Sequence, residues 1–74
     1  MFKLKNKVEE LRKEKGLNQN DFAKLLHVSR QTISAIETEK YNPSLELAFA
    51  ISSFFDKHIE DIFIYEKIVE YEKK

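Results

Sequence analysis

The stretch Asn18-Gln19-Asn20-Asp21-Phe22-Ala23-Lys24-Leu25-Leu26-His27-Val28-Ser29-Arg30-Gln31-Thr32-Ile33-Ser34-Ala35-Ile36 decides the fold. It contains two helix starts. Asn18 and Ser29 carry side-chain oxygens suited to accept from the free N–H groups of a first helical turn, and Asp21 stands where it can reach back to Asn18 in a variant of the capping box. After Asn18, the residues Phe22, Ala23, Leu25 and Leu26 supply a buried stripe; after Ser29, Ile33 and Ile36 recur at the i, i+3 spacing of a helix face. Only His27 and Val28 separate a second helix ending near Leu26 from a third reaching about Thr38.

The single Gly and single Pro punctuate the chain on either side. A first helix is predicted from Lys5 to Lys15, with Val8, Leu11 and Arg12 on one face, stopped by Gly16 in a left-handed C′ position. Glu39-Lys40-Tyr41-Asn42-Pro43 reads as a loop. Ser44 then caps a fourth helix whose Leu45, Leu47, Ala48, Ala50, Ile51, Phe54 and Phe55 make it apolar on more than one side, which predicts the centre of the core. A fifth helix is expected from Lys57 or His58. Its Ile59, Ile62 and Phe63 form a stripe surplus to a four-helix core, and therefore a contact for a second copy, extending to Ile64, Tyr65 and Ile68. Phe2 and Leu4 alternate with Lys3 and Lys5 as in a short strand, whereas 64–71 permits a strand or a helical extension. The expectation is an all-α, five-helix single domain over 1–74, with a short two-stranded antiparallel pairing of the termini and a dimerisation segment at about 57–71.

Seventy-four residues that are 42% hydrophobic, with six Phe and three Tyr, suffice for one compact core. A core of that size supplies only about 3–5 kcal/mol of net stability, so association would help. The absence of cysteine excludes disulfides and thiolate metal sites and suits a reducing, cytoplasmic setting. No apolar run has the length of a signal peptide core or a membrane span. The formal charge is zero, but residues 1–43 hold nine Lys/Arg against six Asp/Glu, a balance of +3, and residues 44–74 hold four Lys against seven acids, a balance of −3. One basic end and one acidic end suit a molecule that presents the first to phosphates.

Two short capped helices around a tight turn, with polar side chains at the start of the second, make a helix-turn-helix over 18–38, whose second helix enters the major groove of DNA. The recognition helix needs short or planar hydrogen-bonding groups at its exposed N-terminal face and hydrophobes behind. Ser29-Arg30-Gln31-Thr32-Ile33-Ser34-Ala35-Ile36 has both. The chain resembles the Cro/C1-type, lambda-repressor-like helix-turn-helix family over about residues 5–63. The resemblance is carried by Arg12, Gly16-Leu17-Asn18-Gln19, Asp21-Phe22-Ala23, Leu25-Leu26, Val28-Ser29-Arg30-Gln31-Thr32-Ile33-Ser34, Ile36-Glu37 and Asn42-Pro43-Ser44-Leu45. The runs Tyr41-Asn42-Pro43-Ser44-Leu45-Glu46-Leu47-Ala48 and Ile59-Glu60-Asp61-Ile62-Phe63 are similar to a subgroup of very small bacterial repressors that includes the cytolysin repressor.

That resemblance implies a transcriptional regulator, by family default a repressor, that binds a palindromic double-stranded DNA operator as a homodimer. It implies that Arg30 and Gln31 read bases, chemistry their side chains suit: Arg pairs bidentately with guanine and Gln with adenine. Ser34 and Ala35 adjoin them as further base contacts. Gln19, Ser29, Thr32, Lys40, Tyr41 and Asn42 fall at positions facing the DNA backbone, with Lys24 and Lys13 as weaker phosphate candidates. Arg12 and Glu37 match the family's internal salt bridge, tying the first helix to the third. His27 departs from the pattern by occupying a turn position that favours Gly. A metal role for His27 with His58 has no ligand spacing behind it, and no cofactor, small-molecule ligand or membrane partner is expected. A second reading is an antitoxin that autoregulates through the same motif while its tail, Glu66 to Lys74, docks a toxin. An enzyme has no support in the residues: no Cys nucleophile, no Ser/His/acid set within evident reach, no Gly-rich phosphate loop, and no expected room for a pocket of several hundred Å³.

Overall fold

In the computed structural model, which describes residues 2–67, strand β1 (Phe2–Asn6) leads into five helices. These are α1 (Val8–Glu14), α2 (Gln19–Leu26), α3 (Arg30–Glu37), α4 (Leu45–Phe55) and α5 (Ile59–Ile62), and strand β2 (Phe63–Lys67) closes the described chain. The three predicted caps stand where the sequence puts them. Asn18, Ser29 and Ser44 accept through their side chains from the backbone N–H groups of Asp21, Thr32 and Leu47 at 2.7, 3.1 and 3.1 Å.

Helix α1 begins later than the expected Lys5, because Asn6 is used otherwise. Its Oδ1 accepts from the Val8 N–H at 3.1 Å, its Nδ2 donates to the Ile36 carbonyl at 2.9 Å, and its own N–H donates to the Glu39 carboxylate at 3.3 Å. One side chain thereby ends the strand, starts α1 and ties both to the end of α3. The two strands pair antiparallel, Leu4 opposite Tyr65 and Asn6 opposite Phe63, so 64–67 is strand and not a helical extension. Ile68, the rest of the expected dimerisation segment to 71, and the tail assigned to a toxin beyond Lys67 lie outside the described residues.

One cluster of buried side chains joins the elements: Val8 and Leu11 from α1, Phe22 and Ala23 from α2, Ile33 and Ile36 from α3, Ile51 and Phe55 from α4, with Ile62 and Phe63. Phe22 packs on Phe54 and Phe55 with ring centroids 5.4 Å away in each case. Three sequence expectations need correction here. Leu25 points out of the α2 stripe and is 54% exposed. Helix α4 is not wrapped by the core: only Ile51 and Phe55 are buried, while Leu45 is 73% and Phe49 58% exposed. Ile62 and Phe63 are no surplus stripe. Helix α5 is a single turn, and Ile62 is completely buried in the core, its carbonyl held by the Lys7 N–H at 2.9 Å. Phe63 already has extended backbone and begins β2.

His27 ends α2 with φ 60° and ψ 41°, the left-handed conformation that its turn position predicts. The Val28 N–H reaches back to the Ala23 carbonyl at 3.0 Å, closing the turn. A side chain with a Cβ is strained there by about 1 kcal/mol. His27→Gly is therefore expected to raise stability by about that amount, a thermal midpoint some 4–8 °C higher for a domain of this size; an unchanged or lower midpoint would show that the imidazole contributes more than the strain removes.

Candidate nucleic-acid interface

The N-terminal turn of α3 presents Arg30 and Gln31 to solvent directly after the Ser29 cap. Ser34 and Ala35 follow one turn on, half-buried behind them on the same face. The Ser29 and Thr32 hydroxyls are 2.9 Å apart and hydrogen-bonded to each other, which fixes both rotamers at the entry to the helix. At the far end, the N–H groups of Lys40 and Tyr41 both donate to the Ala35 carbonyl, at 2.9 and 3.2 Å. That wrap holds the loop carrying exposed Lys40, Tyr41 and Asn42 against the end of α3.

Behind this surface Arg12 and Glu37 form a two-pronged ion pair, Nε to Oε2 at 2.7 Å and Nη2 to Oε1 at 3.1 Å. Their side chains are 8% and 2% exposed. Arg12 also donates to the Leu17 carbonyl at 2.8 Å, so one guanidinium braces α1, the turn after it and α3. The hydrogen bond to Glu37 holds the Arg12 guanidinium above its ordinary value, with burial opposing. A raised base value adds stability below the ordinary arginine range and loses it only as pH climbs through the raised value, so Arg12 stays charged at any working pH.

The pair does not stand alone. Gln19, first residue of α2, donates from Nε2 to Glu37 Oε1 at 3.0 Å and accepts at Oε1 from Arg30 Nη1 at 3.2 Å. The first residues of α2 and α3 are thereby in contact, bringing two helix N-termini, each a place where backbone N–H groups face outward, onto one side of the molecule. Lys24 is exposed on α2, whereas Lys13 is engaged on α1 with Glu9 at 2.9 Å. That contact, chiefly as a hydrogen bond, holds the Glu9 carboxyl below its ordinary value.

Of the residues expected at a dimer contact, Ile59 and Ile64 are half-buried and Tyr65 is 59% exposed. The sequence reading missed Asn6 and the Glu37–Gln19 bond, both of which depend on partners 18 or more residues away. It also missed the exposed pair Leu45 and Phe49. Their i, i+4 spacing was visible, but spacing alone does not say which of several apolar faces is covered. The clefts of about 420 to 490 Å³ on this molecule are open to solvent and lie at its surface. Among the described residues no cluster of His, Asp or Glu is placed to hold a metal ion, and no helix is long and apolar enough to cross a membrane.

A helix-turn-helix family model matches residues 8–62, the span of all five helices. An uncharacterized HTH-type transcriptional regulator of Methanocaldococcus jannaschii is 60% identical over 63 residues, 85% of this chain and 96% of that protein. The uncharacterized HTH-type transcriptional regulator YgzD of Bacillus subtilis is 44% identical over 64 residues, 86% of this chain and 97% of its own length. The HTH-type transcriptional activator BcrR of Enterococcus faecalis is 36% identical over 63 residues, 85% of this chain but 31% of BcrR. These relatives are archaeal as well as bacterial, so the likeness is wider than the bacterial subgroup that the sequence suggested. With the match running from α1 through α5, and with relatives aligned over nearly their whole length, the chain belongs to the Cro/C1-type helix-turn-helix family.

Proposed function

We propose that the protein is a sequence-specific, DNA-binding transcriptional regulator that sets α3 in the major groove of a palindromic operator and acts as a homodimeric repressor. The observation that carries this reading is the contact of Arg30 with Gln19, which gathers the exposed N-terminal turns of α2 and α3 into one polar face. In this reading Arg30 and Gln31 reach base edges, with Ser34 and Ala35 against the groove floor. Gln19, Ser29, Thr32, Lys40, Tyr41 and Asn42 meet the sugar-phosphate backbone and set the register. No catalytic role is proposed, and the site of action is the cytoplasm, where the operator is.

The test is a gel shift on DNA upstream of the gene with random duplex as competitor. Arg30→Ala is expected to cost about 1–3 kcal/mol on the cognate site and little on random DNA. An equal loss on both would make Arg30 a phosphate contact. The exposed cations of the polar face, Lys24, Arg30 and Lys40, limit counterion release. For a dimer the slope of log affinity against log salt is expected to be no steeper than about −5; a slope near −10 would place additional basic residues on the DNA.

A homodimer puts two α3 helices about 34 Å apart, one turn of B-DNA. Support for it comes from the apolar surface that folding leaves uncovered. Leu45 of α4 lines one apolar cleft with Ala48, with Ile59 and with Leu4 and Tyr65, which pair in the sheet, and Phe49 is exposed one turn along α4 from Leu45. Leu45→Asp with Phe49→Asp is expected to give a folded monomer by sedimentation, with circular dichroism unchanged. A folded dimer would move the interface elsewhere. Repression needs only that the bound dimer occlude a promoter; BcrR is named an activator, but this chain matches less than a third of it, so that name bears weakly on the direction of control.

A further inference from the structure

We infer that Glu37 is a positioning residue for base reading: by setting the orientation of the Gln19 amide, it sets how Arg30 approaches a base pair. This rests on Arg30 reading bases, as proposed above. A carboxylate only accepts hydrogen bonds and a guanidinium only donates them. Gln19 sits between one of each and has a single amide orientation that satisfies both, Nε2 toward Glu37 Oε1 at 3.0 Å and Oε1 toward Arg30 Nη1 at 3.2 Å. The inner end of this chain does not yield, because Glu37 is gripped twice by Arg12, which is itself anchored on the Leu17 carbonyl, and both side chains are shielded from water. The outer end is an exposed arginine with many open rotamers. The bond to Gln19 selects those that bring Nη1 to the start of α2 and leaves the remaining guanidinium N–H groups for a guanine edge. It also leaves the second Nε2 hydrogen of Gln19 for a phosphate. The ion pair that braces α1 to α3 thereby dictates the donor and acceptor pattern on the DNA side.

In Glu37→Gln an NH2 replaces one carboxylate oxygen, and the acceptors that serve Arg12 and Gln19 are no longer all present. With the remaining oxygen held by Arg12 Nε, at 2.7 Å the shortest of the three contacts, the NH2 faces Gln19, which turns its oxygen inward, offers Arg30 a donor and so releases it. The experiment uses the full chain and a duplex selected from a random-sequence library. Affinities are measured for the selected duplex, for random DNA, and for single-base variants at the position whose preference Arg30→Ala removes, alongside thermal melting. Glu37→Gln is expected to lower discrimination at that position about fivefold or more, to change binding to random DNA less than twofold, and to add nothing in an Arg30→Ala background. Retained discrimination in a folded Glu37→Gln protein overturns the inference and leaves Glu37 a brace only. Should Glu37→Gln not fold, Gln19→Met decides, since it leaves the Arg12–Glu37 pair intact: lost discrimination supports the inference, and a uniform loss on all duplexes, as from a phosphate contact alone, overturns it. If Arg30→Ala alters no base preference, the base-reading assignment fails, and this inference fails with it.

Discussion

Ile62→Asp is expected to unfold the protein and not to split a dimer. Ile62 has no exposed surface and belongs to the buried cluster that draws on all five helices, with its carbonyl held by Lys7. An aspartate there either carries a charge into an apolar interior with no partner or takes up a proton to avoid doing so; both are costly, and the aliphatic packing is lost as well. The combined penalty exceeds about 4 kcal/mol, comparable with the about 3–5 kcal/mol that a core of this size supplies. Circular dichroism is expected to show no cooperative melt at 25 °C and above. The comparison with Leu45→Asp and Phe49→Asp is the informative one, because the same residue introduced on the exposed face of α4 leaves helicity intact. A folded, monomeric Ile62→Asp protein would return the dimer contact to α5 and contradict the core described here.

Arg12→Ala is expected to cost about 3–5 kcal/mol, because it leaves the Glu37 carboxylate buried without its cation. The loss is larger than that of a surface ion pair, for which about 0–1 kcal/mol is usual. Part of it comes from the Leu17 carbonyl, which loses the Nη1 donor that stitches the turn before α2 to α1. Urea unfolding of Arg12→Ala, and of Arg12→Met, Glu37→Met and the double variant carrying both Met substitutions, forms the check. The double variant is expected to be more stable than either single one, since removing both charges abolishes the desolvation cost along with the attraction. A double variant as unstable as the sum of the singles would mean that the pair acts through independent contacts and not through its charge balance.

Much of this fold lies in short-range chemistry. Asn18, Ser29 and Ser44 start three helices by bonds to residues three positions on, and the left-handed turn at His27 stands where the family resemblance implied it. The exposed polar start of α3, and with it the candidate site, was likewise legible, because a capped amphipathic helix must turn its polar first-turn residues away from its apolar stripe. The Arg12–Glu37 pair was legible only through family resemblance.

What the sequence by itself determined is which segments form helices, where the turn falls, and which residues stand at the head of α3, since these depend on neighbours within one or two turns. Only the tertiary structure decided which apolar faces are spent inside. Periodicity marks Ile62 and Leu45 as equally apolar, but Ile62 closes the core while Leu45 is 73% exposed, because which face of a helix is covered depends on the elements that pack against it. The same holds for the bonds of Gln19 to Glu37 and Arg30 and of Asn6 to Ile36. Residues 11 to 30 positions apart meet there, and no local preference encodes a contact that exists only once the helices have packed.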